Sequence, residues 1–303
     1  MRIGFVSAAA GVATTTLDDI VAEVQRVEAE GFAFYSVPSI FSLDAIAMLT
    51  VAGRETSSIE LITAVVPTAP RHPAAMAQQA LTAQAASGGR FTLGIGLSHK
   101  AVIEDMFGLS YARPARQMRE YLSVLTPLLE GKPAHFEGEF YRVNAALEVA
   151  GAEAVPLLVA ALGPRMLEVA GELSDGTATW MTGRATLANH TVPTIQRAAE
   201  KAGRRTPRIL SAVPIALVDD IENARQVCNK EFRVYGRLPS YRAMLDREGA
   251  ANPGDLAILG DEAALREGLQ RYREAGVTDL APSVFEADEG AVARTLGFLK
   301  DQL

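Results

Sequence analysis

The sequence predicts an α/β protein built as a (β/α)8 TIM-like barrel. Eight segments read as short strands that are apolar along their whole length, as strands covered on both faces are. A helical pattern follows most of them, and eight such units close into a barrel. The length of 303 residues slightly exceeds the roughly 250 that this fold usually needs. An open doubly wound sheet is the rival, but the first turn, Ser7-Ala-Ala-Ala-Gly-Val, lacks a Gly-x-Gly-x-x-Gly fingerprint.

The strand segments are apolar runs of β-type residues. They lie at residues 3–6, 32–37, 59–66, 91–95, 156–160, 177–181, 209–217 and 277–284. The first helix is predicted after Thr16, a suitable N-cap, because Leu17, Ile20 and Val24 recur at helical spacing, and Gly31 ends it. Further helices are predicted at residues 74–86, 113–130, 164–173, 185–202, 221–235, 262–275 and 291–303.

We expect a single domain over residues 1–303, because no linker, low-complexity stretch or charge run divides the chain. The length beyond a minimal barrel is assigned to two insertions. Residues 131–154 contain Phe136-Glu-Gly-Glu-Phe-Tyr-Arg, which predicts a small hairpin. Residues 237–255 predict an extra helix and loop between the last two strands.

Composition excludes several classes of protein. The net charge of −7 argues against a nucleic-acid binder, although local amides can still hold an anionic cofactor. The single cysteine, Cys228, lies in a helical run and predicts a structural thiol, and the four histidines have no metal-ligand spacing. No run approaches the ~18 apolar residues of a membrane span, and the N-terminus is no signal peptide. We expect a cytoplasmic protein without metal, nucleic acid or membrane partners.

The loops that follow the strands of a barrel build its site. No paired acids, as a glycoside hydrolase needs, follow the first six strands. Small, neutral and apolar residues predominate there, which suits a flat aromatic cofactor that carries the chemistry itself. The residues predicted to contact this cofactor are Ser7, Ser39, Ala64, Val65, Gly96, Leu97, Ser98, Ala160, Ala161, Leu162, Gly163 and Thr182.

The turn after the fourth strand ends in Ser98-His99. His99 is the predicted catalytic residue, because an imidazole with an ordinary pKa of ~6.5 exchanges protons near neutral pH. A role at a helix start or in the core is the alternative. Gly94 and Gly96 either let the backbone approach a ligand or let the strand pack in a crowded barrel. Likewise, residues 160–164 form either an ordinary strand-to-helix turn or a set of free amides that binds phosphate.

The other histidines and the only tryptophan receive structural interpretations. His72 precedes Pro73 and is predicted to sit at a helix entry. His190 is predicted to lie at the surface or to cap a helix, and His135 falls in the predicted hairpin. Trp180 closes the sixth strand and is either a barrel-wall or a pocket residue.

Several segments in both halves of the chain carry a family resemblance. They are Ile62-Thr-Ala-Val-Val-Pro67 with Arg71-His-Pro73, Phe91-Thr-Leu-Gly-Ile-Gly-Leu-Ser-His99, residues 106–121, Pro156-Leu-Leu-Val-Ala-Ala-Leu-Gly-Pro164 and Arg197-Ala-Ala-Glu-Lys-Ala-Gly203. Together they resemble the bacterial-luciferase-like superfamily, specifically its branch of oxidoreductases that depend on the deazaflavin coenzyme F420.

The resemblance implies a barrel with an insertion, the cofactor ring over the strand ends and hydride transfer at the central carbon of that ring. It also implies a bulge with a non-proline cis peptide between Ala64 and Val65, and a cofactor phosphate on the backbone after Ala160. The chain departs from well-known relatives at Ser39-Ile40, where they carry an acidic residue and a histidine. It departs again at Ser98-His99, where some carry a glutamate. These departures argue against a sugar-phosphate substrate.

The leading interpretation is therefore an F420-dependent oxidoreductase that transfers a hydride between the deazaflavin and a small organic substrate. An activated alkene, imine or carbonyl suits this reaction. An FMN-dependent monooxygenase on the same fold is the first alternative, and a barrel that binds a ligand without catalysis is the second. A homodimer is expected, because the family commonly pairs barrels and the helix at 113–130 offers an apolar surface.

Overall fold

The computed structural model describes residues 1–7 and 12–303. Its strands are short, and most of them are parallel to their neighbours. They are β1 (Arg2–Ile3), β2 (Phe5–Val6), β3 (Phe34–Val37), β4 (Glu60–Thr63), β5 (Val66–Pro67), β6 (Phe91–Gly96), β7 (Ala134–Glu137), β8 (Arg142–Ala145), β9 (Leu157–Ala160), β10 (Gly176–Trp180), β11 (Arg208–Leu217), β12 (Ile258–Gly260) and β13 (Asp279–Val284).

The α-helices cover the outside of the sheet. They are α1 (Leu17–Ala29), α2 (Ala45–Arg54), α3 (Pro73–Ala86), α4 (Pro114–Leu129), α5 (Pro164–Leu173), α6 (Arg184–Thr186), α7 (Val192–Lys201), α8 (Ile221–Glu231), α9 (Pro239–Glu248), α10 (Glu262–Glu274) and α11 (Ala291–Lys300). Two π-helical segments (Val102–Met106 and Leu187–Thr191) and one 3-10 helix (Pro253–Leu256) complete the helical structure. None of the helices described is long and apolar enough to cross a membrane.

The parallel strands close into the predicted eight-stranded barrel. Their order around the ring is β1-β13-β11-β10-β9-β6-β4-β3-β2. β1 and β2 are two pieces of one strand, separated by Gly4, and they pair with β13 and β3 respectively. The ring is thus complete, and the predicted fold class is confirmed.

One α-helix and one strand of the sheet were not predicted. α2 is nearly all apolar between its N-cap Asp44 and Arg54, so it has no polar face to produce an amphipathic pattern. β12 has only three residues, which is too short for a periodic signal. It pairs with the last three residues of β11, the first of which, Ile215, also pairs with β13. α1, in contrast, begins at the predicted Thr16, which forms a capping box with Asp19.

The two long connections carry structure of their own. β7 and β8 form an antiparallel hairpin within residues 131–154, and α9 lies within residues 237–255. The hairpin covers part of α4, whose apolar face also packs against α3 and α5. No large apolar side chain of α4 is exposed. The apolar surface on which the expectation of a homodimer partly rested is therefore already buried within the chain.

Charged side chains fill the amino-terminal end of the barrel. Arg2 donates to Asp279 and lies 2.9 Å from a Glu60 carboxylate oxygen. Arg208 bridges the same two acids, at 2.8 Å from Glu60 and 3.2 Å from Asp279. The hydroxyl of Thr92 also donates to Glu60, at 2.6 Å. We call these five residues the charged plug.

The plug changes the acidity of Asp279. Burial raises the pKa of this carboxyl group, but the charges and hydrogen bonds of Arg208, Thr278 and Arg2 outweigh burial and hold the pKa below its usual value. A depressed pKa in the folded state adds stability above the unfolded-state pKa of ~3.9. This stability disappears as the pH falls through the lower folded-state value.

Asp279→Asn should therefore lower the free energy of unfolding at pH 7 by about 1.5–3 kcal/mol, the range for a hydrogen bond to a charged group. The difference from the wild type should shrink below about pH 4, where the wild-type carboxylate also becomes protonated. Urea unfolding at both pH values measures this. Glu200→Gln neutralises an exposed carboxylate on α7 and serves as the control. Equal stability of Asp279→Asn and wild type at pH 7 would contradict the role of the plug.

Candidate active site

The carboxyl ends of the strands surround an open, apolar floor. Below it, interior residues from several strands form a separate cluster and are fully or almost fully buried, as for Phe34, Leu158 and Leu210. One level higher, the interior side chains become partly exposed. These floor residues are Val6, Ala64, Val65, Ala160, Trp180, Ala212 and Ser283. A concavity with small apolar walls at this end of a barrel is where such proteins bind ligands.

The sequence analysis missed Val6, and it also missed the floor residues Ala212 and Ser283. Ala212 and Ser283 lie on β11 and β13, the last two strands of the barrel. The sequence pattern does indicate these two positions, because residues two apart on a strand face the same side. Ala212 lies two residues after the interior residue Leu210, and Ser283 lies two residues after the interior residue Ala281.

A bulge between β4 and β5 forms one side of the floor. The peptide bond between Ala64 and Val65 is cis, as the family resemblance implied. Leu61 pairs with Phe91 whereas Val66 pairs with Ile95, so this side holds one residue more than β6 over the same length. Backbone hydrogen bonds tie the bulge to the preceding strand: Ala64 N donates to Val37 O at 2.8 Å, and Ser39 N donates to Val65 O at 3.3 Å.

The glycines of β6 allow this bulge to approach. A Cβ atom on Gly94 would overlap the carbonyl oxygen of Thr63, and one on Gly96 would lie 2.7 Å from Val65 Cγ2. The hydroxyl of Thr63 donates to Gly94 O at 2.9 Å and accepts from Gly94 N at 2.8 Å. Of the two interpretations left open for these glycines, close packing inside the barrel is the one that the structure supports.

His99 lies at the edge of the floor and is half-buried. It follows Ser98, which has a left-handed backbone (φ 61°) and whose carbonyl accepts from Tyr111 at 3.3 Å. The ring centroid of His99 is 5.9 Å from that of Tyr241 on α9. Burial lowers the pKa of His99, so the imidazole is uncharged at neutral pH and able to accept a proton.

The turn between β9 and α5 leaves the start of α5 open. Gly163 is the N-cap, with extended backbone and no side-chain cap, and a Cβ atom there would meet nothing within 4 Å. The expectation that His190 lies at the surface or caps a helix was wrong. Its side chain is buried (8% exposed), and Nε2–H donates to the carbonyl of Leu162 at 2.9 Å. His190 thus holds the turn that leads into α5.

α6, which follows the next strand, begins with the same geometry but is already capped. The carboxylate of Glu248, at the end of α9, accepts from Ala185 N at 3.0 Å and from Thr186 N at 2.7 Å. A Cβ atom on Gly183 would overlap this carboxylate, so the glycine permits the contact. Of these two helix starts, that of α5 is the one left available to an anion.

An aromatic wall stands on one side of the mouth. Trp180 contacts Phe232 and Tyr235 with ring centroids 5.4 and 5.6 Å apart. Tyr235 contacts Tyr241 at 5.0 Å, and Tyr241 contacts His99. Burial raises the pKa of both tyrosines, so their hydroxyls stay protonated. The sequence analysis missed this wall, because three of its rings come from the segment between α8 and the middle of α9, where no strand end marks a site.

Four predicted cofactor contacts have side chains directed away from the open floor. The hydroxyl of Ser7 donates to Glu23 of α1 at 2.6 Å, and Leu97 and Ala161 pack in the core between helices and sheet. Thr182 is fully buried and donates to Trp180 O at 3.3 Å. The other predicted contacts, Ser39, Ala64, Val65, Gly96, Ser98, Ala160, Leu162 and Gly163, lie around the floor.

The remaining chemistry-bearing residues are structural. His72 Nδ1 accepts from Ala74 N at 3.2 Å and caps α3, as predicted, and His135 is exposed on the hairpin. Burial raises the pKa of the Cys228 thiol to about 12, which is unsuited to a nucleophile. Within residues 1–7 and 12–303, no three His, Cys, Asp or Glu side chains cluster as metal ligands would.

A closed (β/α)8 barrel with an apolar floor at the carboxyl ends of its strands has the architecture in which such barrels build their sites over those ends. The chain belongs to the luciferase-like monooxygenase family, whose model matches residues 1–279. An uncharacterized protein of Mycobacterium tuberculosis is 30% identical over 223 residues, which cover 69% of this chain and 66% of the relative. The 5,10-methylenetetrahydromethanopterin reductase of Archaeoglobus fulgidus is 33% identical over 156 residues, 50% of this chain and 46% of that enzyme. These matches thus span less than two thirds of either relative.

Solved structures share the fold over the whole chain. An F420-dependent secondary alcohol dehydrogenase with an F420–acetone adduct has a TM-score of 0.79 at 20% identity, covering 100% of this chain and 98% of that one. The oxygenating constituent of the 3,6-diketocamphane monooxygenase of Pseudomonas putida, in complex with FMN, has a TM-score of 0.77 at 16% identity, covering 99% and 96%.

The steric role of Gly94 can be tested by stability. Gly94→Ala should lower the free energy of unfolding by about 3 kcal/mol, because the new methyl group must push the Thr63 carbonyl and the bulge aside. Gly163→Ala, which adds the same group in open space, should stay within about 1 kcal/mol of wild type. Denaturant unfolding compares the two, and similar stabilities would show that the close approach is not needed.

Proposed function

We propose that this protein is an F420-dependent oxidoreductase that transfers a hydride between the deazaflavin and a small organic molecule. The observation that carries the proposal is the pairing of a flat, uncharged floor with one open helix start beside it. Small residues on two strand ends, Ala64 and Ala160, leave room for a planar ring. The uncapped amides at Gly163 suit a phosphate.

The residues present fit such a cofactor. The ring would lie across the bulge and Ala160, and the phosphate would accept hydrogen bonds from the amides at the start of α5. His190 holds the carbonyl of Leu162 and so helps to fix the turn that carries those amides. When bound, the deazaflavin supplies or accepts the hydride. The protein then contributes orientation, exclusion of water and proton transfer.

His99 is the proposed site of proton transfer. Because burial lowers its pKa, the imidazole is the uncharged form near pH 7 and accepts the proton of a substrate hydroxyl as the carbon–hydrogen bond breaks. In the opposite direction the protonated imidazole returns that proton to the carbonyl oxygen. Tyr241 packs beside the ring and limits where it points.

The similarities support the cofactor class. The A. fulgidus relative is a reductase by name, and the alcohol dehydrogenase with the same fold is F420-dependent. The FMN-bound monooxygenase with the same fold makes FMN the cofactor to compare in each experiment. Stronger binding of FMN than of F420 would assign the protein to the monooxygenase alternative. Binding of a ligand with no turnover on any substrate would favour a non-catalytic barrel.

Gly163→Leu should weaken F420 binding at least tenfold, because the side chain would occupy the space in front of the helix amides and remove hydrogen bonds to a charged group. Trp180 is the only tryptophan and lies on the floor, so quenching of its fluorescence reports binding directly. Gly297→Leu on α11, where a Cβ atom also meets nothing within 4 Å, is the matched control. Unchanged affinity in Gly163→Leu would place the phosphate elsewhere.

His99→Ala should lower turnover about 10²–10⁴-fold while the affinity for F420 changes little. In wild type, oxidation of a secondary alcohol should fall at acid pH with a midpoint below the ordinary histidine value of ~6.5, because protonation removes the acceptor. The variant should lose this acid limb. His135→Ala on the hairpin is the control. Near-wild-type turnover of His99→Ala with 2-propanol and its homologues would show that solvent takes the proton.

A further inference from the structure

An exposed apolar surface lies on the loops opposite the aromatic wall. Of the ten large apolar side chains that are exposed in the described part of the chain, six belong to the segments that follow β2, β3 and β6. Their exposed fractions range from 39% to 60%. We call these six residues the apolar rim: Val12, Ile40, Phe41, Met106, Phe107 and Leu109.

Contacts between the loops make the rim one surface. The rings of Phe41 and Phe107 meet edge to face with centroids 6.4 Å apart. The hydroxyl of Ser42 donates to the carbonyl of Val12 at 3.3 Å, which joins the first two loops. A contiguous apolar patch on a soluble protein usually marks a binding surface.

The rim is continuous with the candidate active site. Phe41 lies two residues after Ser39, whose amide is bonded to the bulge at Val65. Phe107 follows the π-helical segment Val102–Met106, which begins three residues after His99. A molecule whose reacting carbon reaches the floor can therefore extend directly onto the rim.

On the rim side of the mouth, two cations are already paired with acids. Lys100 pairs with Glu104 at 3.6 Å, and Arg71 pairs with Asp44, so these cations are already compensated. The floor and the aromatic wall are uncharged. The mouth is thus bordered by the uncharged side chains of the apolar rim, the aromatic wall and the floor.

We infer that the substrate is an uncharged molecule with an extended hydrocarbon part, such as a long-chain secondary alcohol and its ketone. This inference rests on the proposed function. The alcohol carbon gives its hydride to oxidised F420 and the hydroxyl gives its proton to His99, which leaves a carbonyl group and reduced F420. The hydrocarbon chain lies across Phe41 and Phe107.

The test uses a homologous series from 2-propanol to 2-decanol with oxidised F420. In wild type, kcat/KM should rise about fourfold per added methylene while the chain extends over the rim, the factor expected for burying one CH₂ group. In the double variant Phe41→Ser with Phe107→Ser this increase should largely disappear, so that the long alcohols react little better than 2-propanol does in the same variant. Val51→Ser with Ile221→Ser, which removes two exposed apolar residues outside the rim, should keep the wild-type slope.

Binding of F420, measured by quenching of the Trp180 fluorescence, shows whether the inference alone is wrong or the proposed function is wrong as well. If F420 binds and alcohols react without any dependence on chain length, the inference is wrong and the proposed function stands. If F420 does not bind, both are wrong. A wild-type dimer that the Phe41→Ser/Phe107→Ser variant converts to monomers would instead assign the rim to a second copy of the chain. Loss of binding to phosphatidylcholine vesicles in that variant would assign it to a lipid surface, and either result overturns the inference.

Discussion

The close approach of the bulge to β6 is the constraint on which the mouth depends. Gly94 leaves room for the carbonyl of Thr63, and Gly96 leaves room for the side chain of Val65. With the bulge in this position, Ala64 and Val65 become part of the floor, and the Val65 carbonyl meets the amide of Ser39. The loop after β3 then starts from a fixed point. The two glycines of β6 therefore determine where the bulge lies and where the loop after β3 begins.

The barrel separates its charges from its open end. The charged plug holds two arginines and two carboxylates at the amino-terminal end, where they compensate one another. The floor at the other end has no charged side chain among its seven residues. Charges held at the plug can stabilise the fold without attracting water or ions to the mouth. An uncharged floor lacks groups for hydrolysis or metal chemistry, so a reaction there depends on what binds to it.

Local sequence patterns predicted the barrel well, because strands buried on both faces and capped amphipathic helices have strong local signals. The cis bond at Ala64–Val65 came from family resemblance, since no local propensity indicates it. α2 lacked a polar face, and β12 was too short. His190 and the aromatic wall depend on contacts between residues far apart in the chain, such as His190 with Leu162. Such contacts leave no periodic pattern within a single segment of the sequence.

The second long connection shapes the site through one carboxylate. α5 and α6 both begin at a glycine with nearly the same extended backbone, φ −79° at Gly163 and φ −73° at Gly183. Glu248 accepts hydrogen bonds from two amides of α6, so this helix start is closed to any other anion. The same contact fixes the end of α9, whose first half carries Tyr241 to His99. One side chain therefore helps decide both where an anion can bind and how the histidine beside the floor is enclosed.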